Sequence, residues 1–277
     1  RCKMIEAKII LDSISPKGIR LTTFELKYPR FILSEFNTHR VFSRNSASSR
    51  AIPVMKMIKD VLNDPVIPVF WGKNQAGMQA KEELTGIRKK SAQCLWSLAR
   101  YPACASAYLF TKIGLHKQLA NRIIEPWMWT KTIVTATEWD NFFELRYHED
   151  AQPEIFVLAT RMYEAYLNST PTSINYGEWH LPYVMSNEYV EYDNDYDVLI
   201  KISAARCARV SYLTHDGKTP NVNKDLGLYT NLVGSVPIHG SPPEHQATPN
   251  NNKKFDKNFR GWHQHRADIE HKFNKGV

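Results

Sequence analysis

Asn37–Arg50 reads NTHRVFSRNSASSR. Between His39 and Arg50 it holds three arginines, Arg40, Arg44 and Arg50, interleaved with Ser43, Asn45, Ser46, Ser48 and Ser49. It contains neither Gly nor Pro, and Pro53 closes it. Guanidinium forks beside hydroxyls bind phosphate through charge-assisted hydrogen bonds. A solvated basic loop and a grip on a nucleic-acid backbone are the other readings of the same residues.

The rest of the chain bears on that choice. Lys and Arg number 36 against 28 Asp and Glu, a formal net charge of +8. A basic balance points to anionic partners: nucleic acid, a membrane surface or phosphorylated small molecules. No basic amphipathic helix stands out for a membrane surface. GxGxxG and GxxxxGK[ST] are both absent. Gly72 and Gly77 have P-loop spacing, but Met78 stands where the lysine belongs. Phosphate must therefore be held by side chains, arginines above all.

Length and composition set the frame. A chain of 277 residues with 43% hydrophobic and 23% charged residues is ample for a buried core and ordinary for a folded protein. No apolar run reaches the membrane-helix length. Arg1–Ile5 has no apolar leader, so a cytoplasmic setting is expected. The cysteines Cys2, Cys94, Cys104 and Cys207 form no CxxC, which argues against a zinc ribbon or a disulfide framework.

Outward from Asn37–Arg50, Lys3–Leu11 and Ile19–Lys27 read as strands joined by the turn Ser15-Pro16-Lys17-Gly18. Asp64–Gly77 is loop-like. Lys81–Ala99 has helical spacing, with Leu84, Ile87, Ala92, Leu95 and Leu98 on one stripe. Ala103–Ala120 reads as a second, buried helix. Lys131–Thr137 is a β-branched strand, Trp139–Tyr147 a short helix and Pro153–Leu167 an amphipathic one. Tyr176–Asp197 reads as surface, Val198–Ser203 as a strand, Lys224–Val233 as a helix and Ser241–Lys257 as an extended loop. No linker divides residues 1–277, so one α+β domain is expected.

His39-Arg40-x-x-Ser43-x-Asn45-x-x-Ser48-x-Arg50, preceded by Lys27-x-Pro29-x-Phe31, resembles the signature of the flavin-dependent thymidylate synthases. Other blocks strengthen the likeness. Asn121-Arg122-Ile123-Ile124-Glu125-Pro126 resembles the family's Ala-Arg-x-Val-Leu-Pro. Thr135 through Asn141-Phe142-Phe143-Glu144-Leu145-Arg146 resembles its strand-then-helix block, and Ala151-Gln152-x-Glu154 has a counterpart. Ala208-Arg209-Val210-Ser211 and His239-Gly240-Ser241-Pro242-Pro243-Glu244-His245 resemble blocks that the family carries at its start. Here they come last. Residues 1–168 match the later part of the family and 198–248 its N-terminal part, an order that resembles a circular permutation. If so, His245 lies close to the start of the strand Ile19–Lys27.

The resemblance implies a central, mostly antiparallel sheet flanked by helices. It implies C5 methylation of dUMP, with methylenetetrahydrofolate as carbon donor, FAD carrying reducing equivalents and NADPH reducing the flavin. It implies a homotetramer with FAD between subunits. Carried over, Glu35, Ser46, Ser48, Arg50, Arg122 and Arg146 match substrate positions, with Arg122 on the phosphate of a neighbouring subunit and Arg146 at the pyrimidine. His39, Arg40, Asn45, Asn141, Ser211, His239, Ser241 and Glu244 match flavin positions, and Arg146 and His239 are the catalytic candidates. A guanidinium on a pyrimidine carbonyl stabilises developing negative charge and makes C5 more nucleophilic.

The chain departs from the pattern around this pocket. Thr38 replaces the first arginine of Arg-His-Arg, Ser46 a glutamate, Ala51 a common tyrosine and Glu35 a glutamine. These changes leave open another pyrimidine nucleotide such as deoxycytidylate, or a hydroxymethyl product. A member that binds without turnover, and a non-catalytic nucleic-acid-binding protein, are the competing classes. Cys207, between Arg206 and Arg209, is a minor nucleophile candidate. His263-x-His265 with His271 lacks a convincing fourth ligand, so no metal is expected.

Overall fold

The structure, a computed structural model, describes residues 5–212 and 221–274, with side chains omitted at 211, 212 and 272–274. Strands β1 (Glu6–Ile14) and β2 (Arg20–Pro29) form an antiparallel hairpin with a bulge between Ile9 and Leu11. Gly18 closes its turn at φ 75°, a conformation glycine adopts without a Cβ penalty. A short helix α1 (Leu33–Phe36) leads to β3 (Ser43–Ser46). Helices α2 (Val54–Asn63), α3 (Gly86–Lys112) and α4 (Lys117–Ala120) follow, then β4 (Trp129–Ala136). Next come α5 (Asp140–Arg146), α6 (Pro153–Asn168) and the two-residue β5 (Thr172–Ser173). The sheet runs β3-β4-β2-β1-β5, antiparallel throughout except for the β1–β5 pair. The last part adds α7 (Ser186–Glu191), α8 (Tyr196–Tyr212) and α9 (Val222–Val233). Small strands β6 (Ala247–Pro249), β7 (Phe255–Asp256), β8 (Phe259–Arg260) and β9 (Trp262–Gln264) precede α10 (His265–Asn274). This is the expected α+β fold with a central, mostly antiparallel sheet.

Strand alternation assigns the two sheet faces. Phe24, Leu26 and Tyr28 of β2 and Val134 and Ala136 of β4 face Ile155, Leu158 and Met162 of α6 and Trp139 and Phe142 around α5, all buried. The opposite face carries Thr23, Thr135 and Ile133, and Ile133 packs on Cys207 and Val210 of α8. That face also receives the C-terminal segment. Trp262 Nε1 donates to the Ile19 carbonyl at 3.2 Å, in a cluster with Leu21, Ala247 and Phe259. Gly261, at φ 71°, sits where a Cβ would come within 2.3 Å of Ile19.

Three expectations are corrected. Gly86–Lys112 is the single helix α3, which joins most of Lys81–Ala99 to the first part of Ala103–Ala120, whose last residues form the separate α4; α3 runs through Pro102 and buries only Ala103, Cys104 and Ala107. The stripe meant for a core is left outside: Ile87, Leu95 and Leu98 are exposed, because α2 and the Asn121–Trp127 turn meet only the far end of the helix. Val198–Ser203 is helical inside α8. Its β-branched residues lose to the tertiary demand that Leu199, Ile200 and Ile202 pack against α9 and Leu181. Tyr176–Asp197 is not merely surface, since His180, Leu181 and Glu188 are buried within it.

Candidate active site

The signature segment is divided by what holds it. Arg44 is held by its own turn: its Nη1 donates to the backbone carbonyls of His39 at 2.6 Å and Phe36 at 3.3 Å, closing the turn between α1 and β3. His39 is buried, stacked near Phe42 and edge-on to Phe142. Arg146, in the last turn of α5, donates its Nε–H to His39 Nε2 at 3.1 Å and a terminal N–H to the Thr38 hydroxyl at 3.2 Å. Accepting at Nε2 requires a neutral imidazole protonated at Nδ1. Burial, reinforced by the Arg146 and Arg44 charges, pushes the His39 pKa down to about 4. Thr38 thus serves as an acceptor for Arg146, which an arginine at that position could not do.

Arg146 lines a cavity of about 810 Å³ together with Glu35, Phe31, Phe70 and Trp96. Burial raises the Glu35 pKa, opposed by Arg146 and assisted by Glu154. The segment around residues 68–80, for which the sequence offered no role, forms part of this wall. It is pinned by Val69 N–H donating to buried Glu154 at 2.9 Å and by Gln79 donating to the Asp150 carbonyl at 2.8 Å.

A second cluster gathers around β3. Asn45 donates to the Cys207 carbonyl at 2.8 Å and accepts from Ser241 Oγ at 3.4 Å, which joins the signature to the His239–His245 block. Ser43 Oγ accepts from Gln264 at 2.9 Å and Asn258 at 3.1 Å. Glu244, buried, accepts from Arg266 of α10, which also donates to Glu270 at 2.6 Å. Gln264, Asn258 and Arg266 had no signal in the sequence, because the pattern that identified Glu244 ends at His245. Ser46 Oγ shares a 2.8 Å hydrogen bond with Thr132, whose hydroxyl also meets Tyr28. His239 is exposed, its backbone N–H donating to the Leu232 carbonyl at 3.1 Å.

A third group surrounds Glu125. Its Oε1 accepts from Arg30 at 2.9 Å, Ser49 at 2.8 Å and Arg122 at 2.9 Å, and so ties the Ser48–Arg50 turn to the Asn121–Trp127 turn. Arg122 is therefore brought beside the Ser48–Arg50 turn of its own chain, with its Nη1 on Glu125. Ser48 Oγ accepts from the Arg50 N–H at 3.3 Å. Arg40 and Arg50 are exposed and form no ion pair among the described residues. Asn141 is exposed on the first turn of α5. Ser211 is near the end of α8, and its side chain lies outside the described residues.

Beneath β3, a buried polar chain crosses the sheet. His180 Nδ1 meets Ser13 Oγ at 2.8 Å and its Nε2 meets Thr23 Oγ1 at 2.8 Å; Thr23 meets Thr135 at 2.7 Å, and Thr135 meets His245 Nδ1 at 2.8 Å. Burial pushes both histidines down to about 3. His245 thus reaches β4 at Thr135, whose partner across the sheet is Thr23 of β2.

Cys207 is corrected as a nucleophile. It is buried, and burial raises its pKa; Arg206 is turned to Glu188 and Asp225, and Arg209 to Asp225. His263 is an ion-pair hub between Asp256 and Asp268, and no group of metal-ligating side chains is found among the described residues. No helix among the described residues is long and apolar enough to cross a membrane.

The sequence profile of the thymidylate synthase complementing protein family matches residues 16–172, more than half of the chain. Among curated proteins, none matches the sequence. Solved structures are similar too, among them these two. A UMP/dUMP methylase, PolB, from Streptomyces cacaoi bound with 5-Br UMP is 16% identical over 60% of this chain and 89% of its own, with a TM-score of 0.49. Thymidylate synthase X from Helicobacter pylori with FAD and dUMP is 23% identical over 53% of this chain and 67% of its own, with a TM-score of 0.37.

Proposed function

Because the chain belongs to the thymidylate synthase complementing protein family, we propose that it is a flavin- and folate-dependent C5-methylase of a pyrimidine nucleotide, with dUMP as the first candidate. The observation that carries this reading is Arg146 at the cavity wall, with two nitrogens fixed by neutral His39 and Thr38. Its remaining Nη1 has no partner among the described residues and is left to donate to a pyrimidine carbonyl. A preorganised guanidinium there stabilises negative charge as it develops on the ring without reorganising at the moment of reaction. Neutral His39 matters for the same reason: a second positive charge would repel Arg146.

Ser48, Arg50 and Arg122 would hold the phosphate. For FAD, the residues present fit. Arg40 is an exposed cation with no ion pair among the described residues and follows His39 in the chain; Ser241 is hydrogen-bonded to Asn45 and to the Glu244 N–H, and Glu244 is held by Arg266. Bound there, FAD would carry the reducing equivalents, with NADPH as reductant and methylenetetrahydrofolate as carbon donor. Asn141, Ser211 and His239 complete the proposed flavin set, and Ser46 stands on the substrate side. A homotetramer in a cytoplasmic setting belongs to the same reading. Its support is the exposed apolar row Leu95, Leu98, Tyr101 and Leu109 on α3, which a partner subunit would cover.

The permuted block order is part of the proposal. It is supported by His245 reaching Thr135 beside β2 and by a profile match that stops at residue 172, before the 198–248 blocks. Thr38 and Glu35 keep a second product in view, either hydroxymethyl or a methylated nucleotide other than dTMP. Mass spectrometry of the product from dUMP, FAD, NADPH and methylenetetrahydrofolate tests the reading. A gain of one methyl on dUMP supports it. No product from any pyrimidine nucleotide, with salt-sensitive duplex DNA binding instead, would favour the nucleic-acid-binding alternative.

A further inference from the structure

The cavity beside Arg146 does not match the charge of the protein around it. The chain is basic overall, yet the wall carries Glu35, Glu149, Asp150 and Glu154 against the single Arg146. Such a wall disfavours a phosphate and leaves the cavity to a ring. Glu154 is already taken, by the Val69 N–H and by Gln152. Glu35 is different: its carboxylate has no hydrogen-bond partner among the described residues, although it and Arg146 influence one another electrostatically. The two groups form no ion pair, so a gap separates an acceptor-only side chain from a donor-only one. Phe31 and Trp96, 6.5 Å apart edge to face, supply an aromatic surface on the same wall.

We propose that this cavity selects a 4-aminopyrimidine ring, that of a cytosine nucleotide, with the amino group on Glu35 and the 2-carbonyl on Arg146. The inference rests on the pyrimidine-nucleotide reading above and departs from its first candidate, dUMP, in favour of a cytosine nucleotide. Cytosine offers a donor at one flank of its polar edge and acceptors at the centre and the other flank, which matches a carboxylate set apart from a guanidinium. Uracil offers carbonyl oxygens at both flanks. A carboxylate that reaches its central N–H is pressed against those two oxygens, and one that stays at a flank faces an acceptor with an acceptor. Discrimination of this kind comes as much from the unpaired or repelled group as from the matched one.

The test is calorimetric titration of the FAD-loaded protein with dCMP and with dUMP, for the wild type and for Glu35→Gln. Glu35 is partly exposed on the four-residue α1, so the variant keeps its fold, and its melting temperature checks this. The wild type is expected to bind dCMP at least tenfold more tightly than dUMP. Glu35→Gln, which can donate to a carbonyl, is expected to erase or reverse that ratio. Equal or tighter binding of dUMP by the wild type overturns the proposal while leaving the nucleotide site intact. So does an unchanged ratio in Glu35→Gln. If neither nucleotide binds, the pyrimidine-nucleotide reading itself has failed, and the selectivity proposal with it.

Discussion

Thr135→Val and Thr130→Val are nearly identical changes on one strand, and the structure gives them opposite outcomes. Thr135 Oγ1 stands between Thr23 at 2.7 Å and His245 at 2.8 Å. His245 is wholly buried and its Nε2 already lacks a partner among the described residues. Removing the Thr135 hydroxyl leaves both ring nitrogens unpaired, a desolvation penalty of about 1–3 kcal/mol. The lost Thr23 bond adds about 1 kcal/mol, since Thr23 keeps His180. The added methyl offsets up to about 0.8 kcal/mol. The net expectation is a loss of about 1–3 kcal/mol. At roughly 2–4 °C per kcal/mol for a chain of this size, the melting temperature falls by roughly 2–12 °C. Thr130 Oγ1 is buried with no partner among the described residues, so replacing it by a methyl is expected to be neutral or stabilising by about 1 kcal/mol. Urea unfolding of both variants, with m-values checked for constancy, measures the difference. If Thr135→Val is as stable as Thr130→Val, the buried chain is not holding the His239–His245 block to the sheet.

Other expectations follow from the same contacts. Arg206→Ala leaves Glu188 and Asp225, both buried, without their shared partner, and is expected to cost about 3–5 kcal/mol in chemical denaturation. His263 is raised to about 9, chiefly by its hydrogen bond to Asp268. Its contribution is therefore complete below the unfolded value near 6.5 and is lost as pH rises through about 9, so the melting curves of wild type and His263→Gln should converge above that pH. Neutral His180 and His245, lowered to about 3 by burial, act in the opposite direction: stability falls as pH drops from about 6.5 towards 3, and a pH series of melting temperatures shows it. Leu98→Asp on the exposed row of α3 is expected to lower the solution mass measured by light scattering without unfolding the subunit.

The hairpin β1–β2, strand β4 and helix α6 were legible because each buries a face of its own periodicity against the sheet. Helix α3 misled because its stripe is not used by its own subunit's core, and an apolar stripe does not say which molecule covers it. Val198–Ser203 misled because its four apolar residues, Val198, Leu199, Ile200 and Ile202, fit either state, and α9 decides between them. In the site, Asn45, Ser241 and Glu244 were named by pattern and are brought together, while His39, named with them, stands apart against Arg146. Arg44 was named with them but is spent on backbone carbonyls, a use that depends on the turn and not on residue type. Arg266, Gln264 and the segment around residues 68–80 were silent because their contacts span long stretches of chain: Gln264 to Ser43, Arg266 to Glu244, Val69 to Glu154.

The central claim is that one pocket brings together a flavin and a pyrimidine nucleotide around Arg146. A visible absorption titration tests it most directly, with FAD added to the purified protein and then dUMP or dCMP added to the loaded protein. The account predicts a bound-flavin band that shifts when the nucleotide is added, and loss of that shift in Arg146→Ala with the flavin retained. A protein that takes up no flavin, or a flavin band indifferent to both nucleotides, would contradict it.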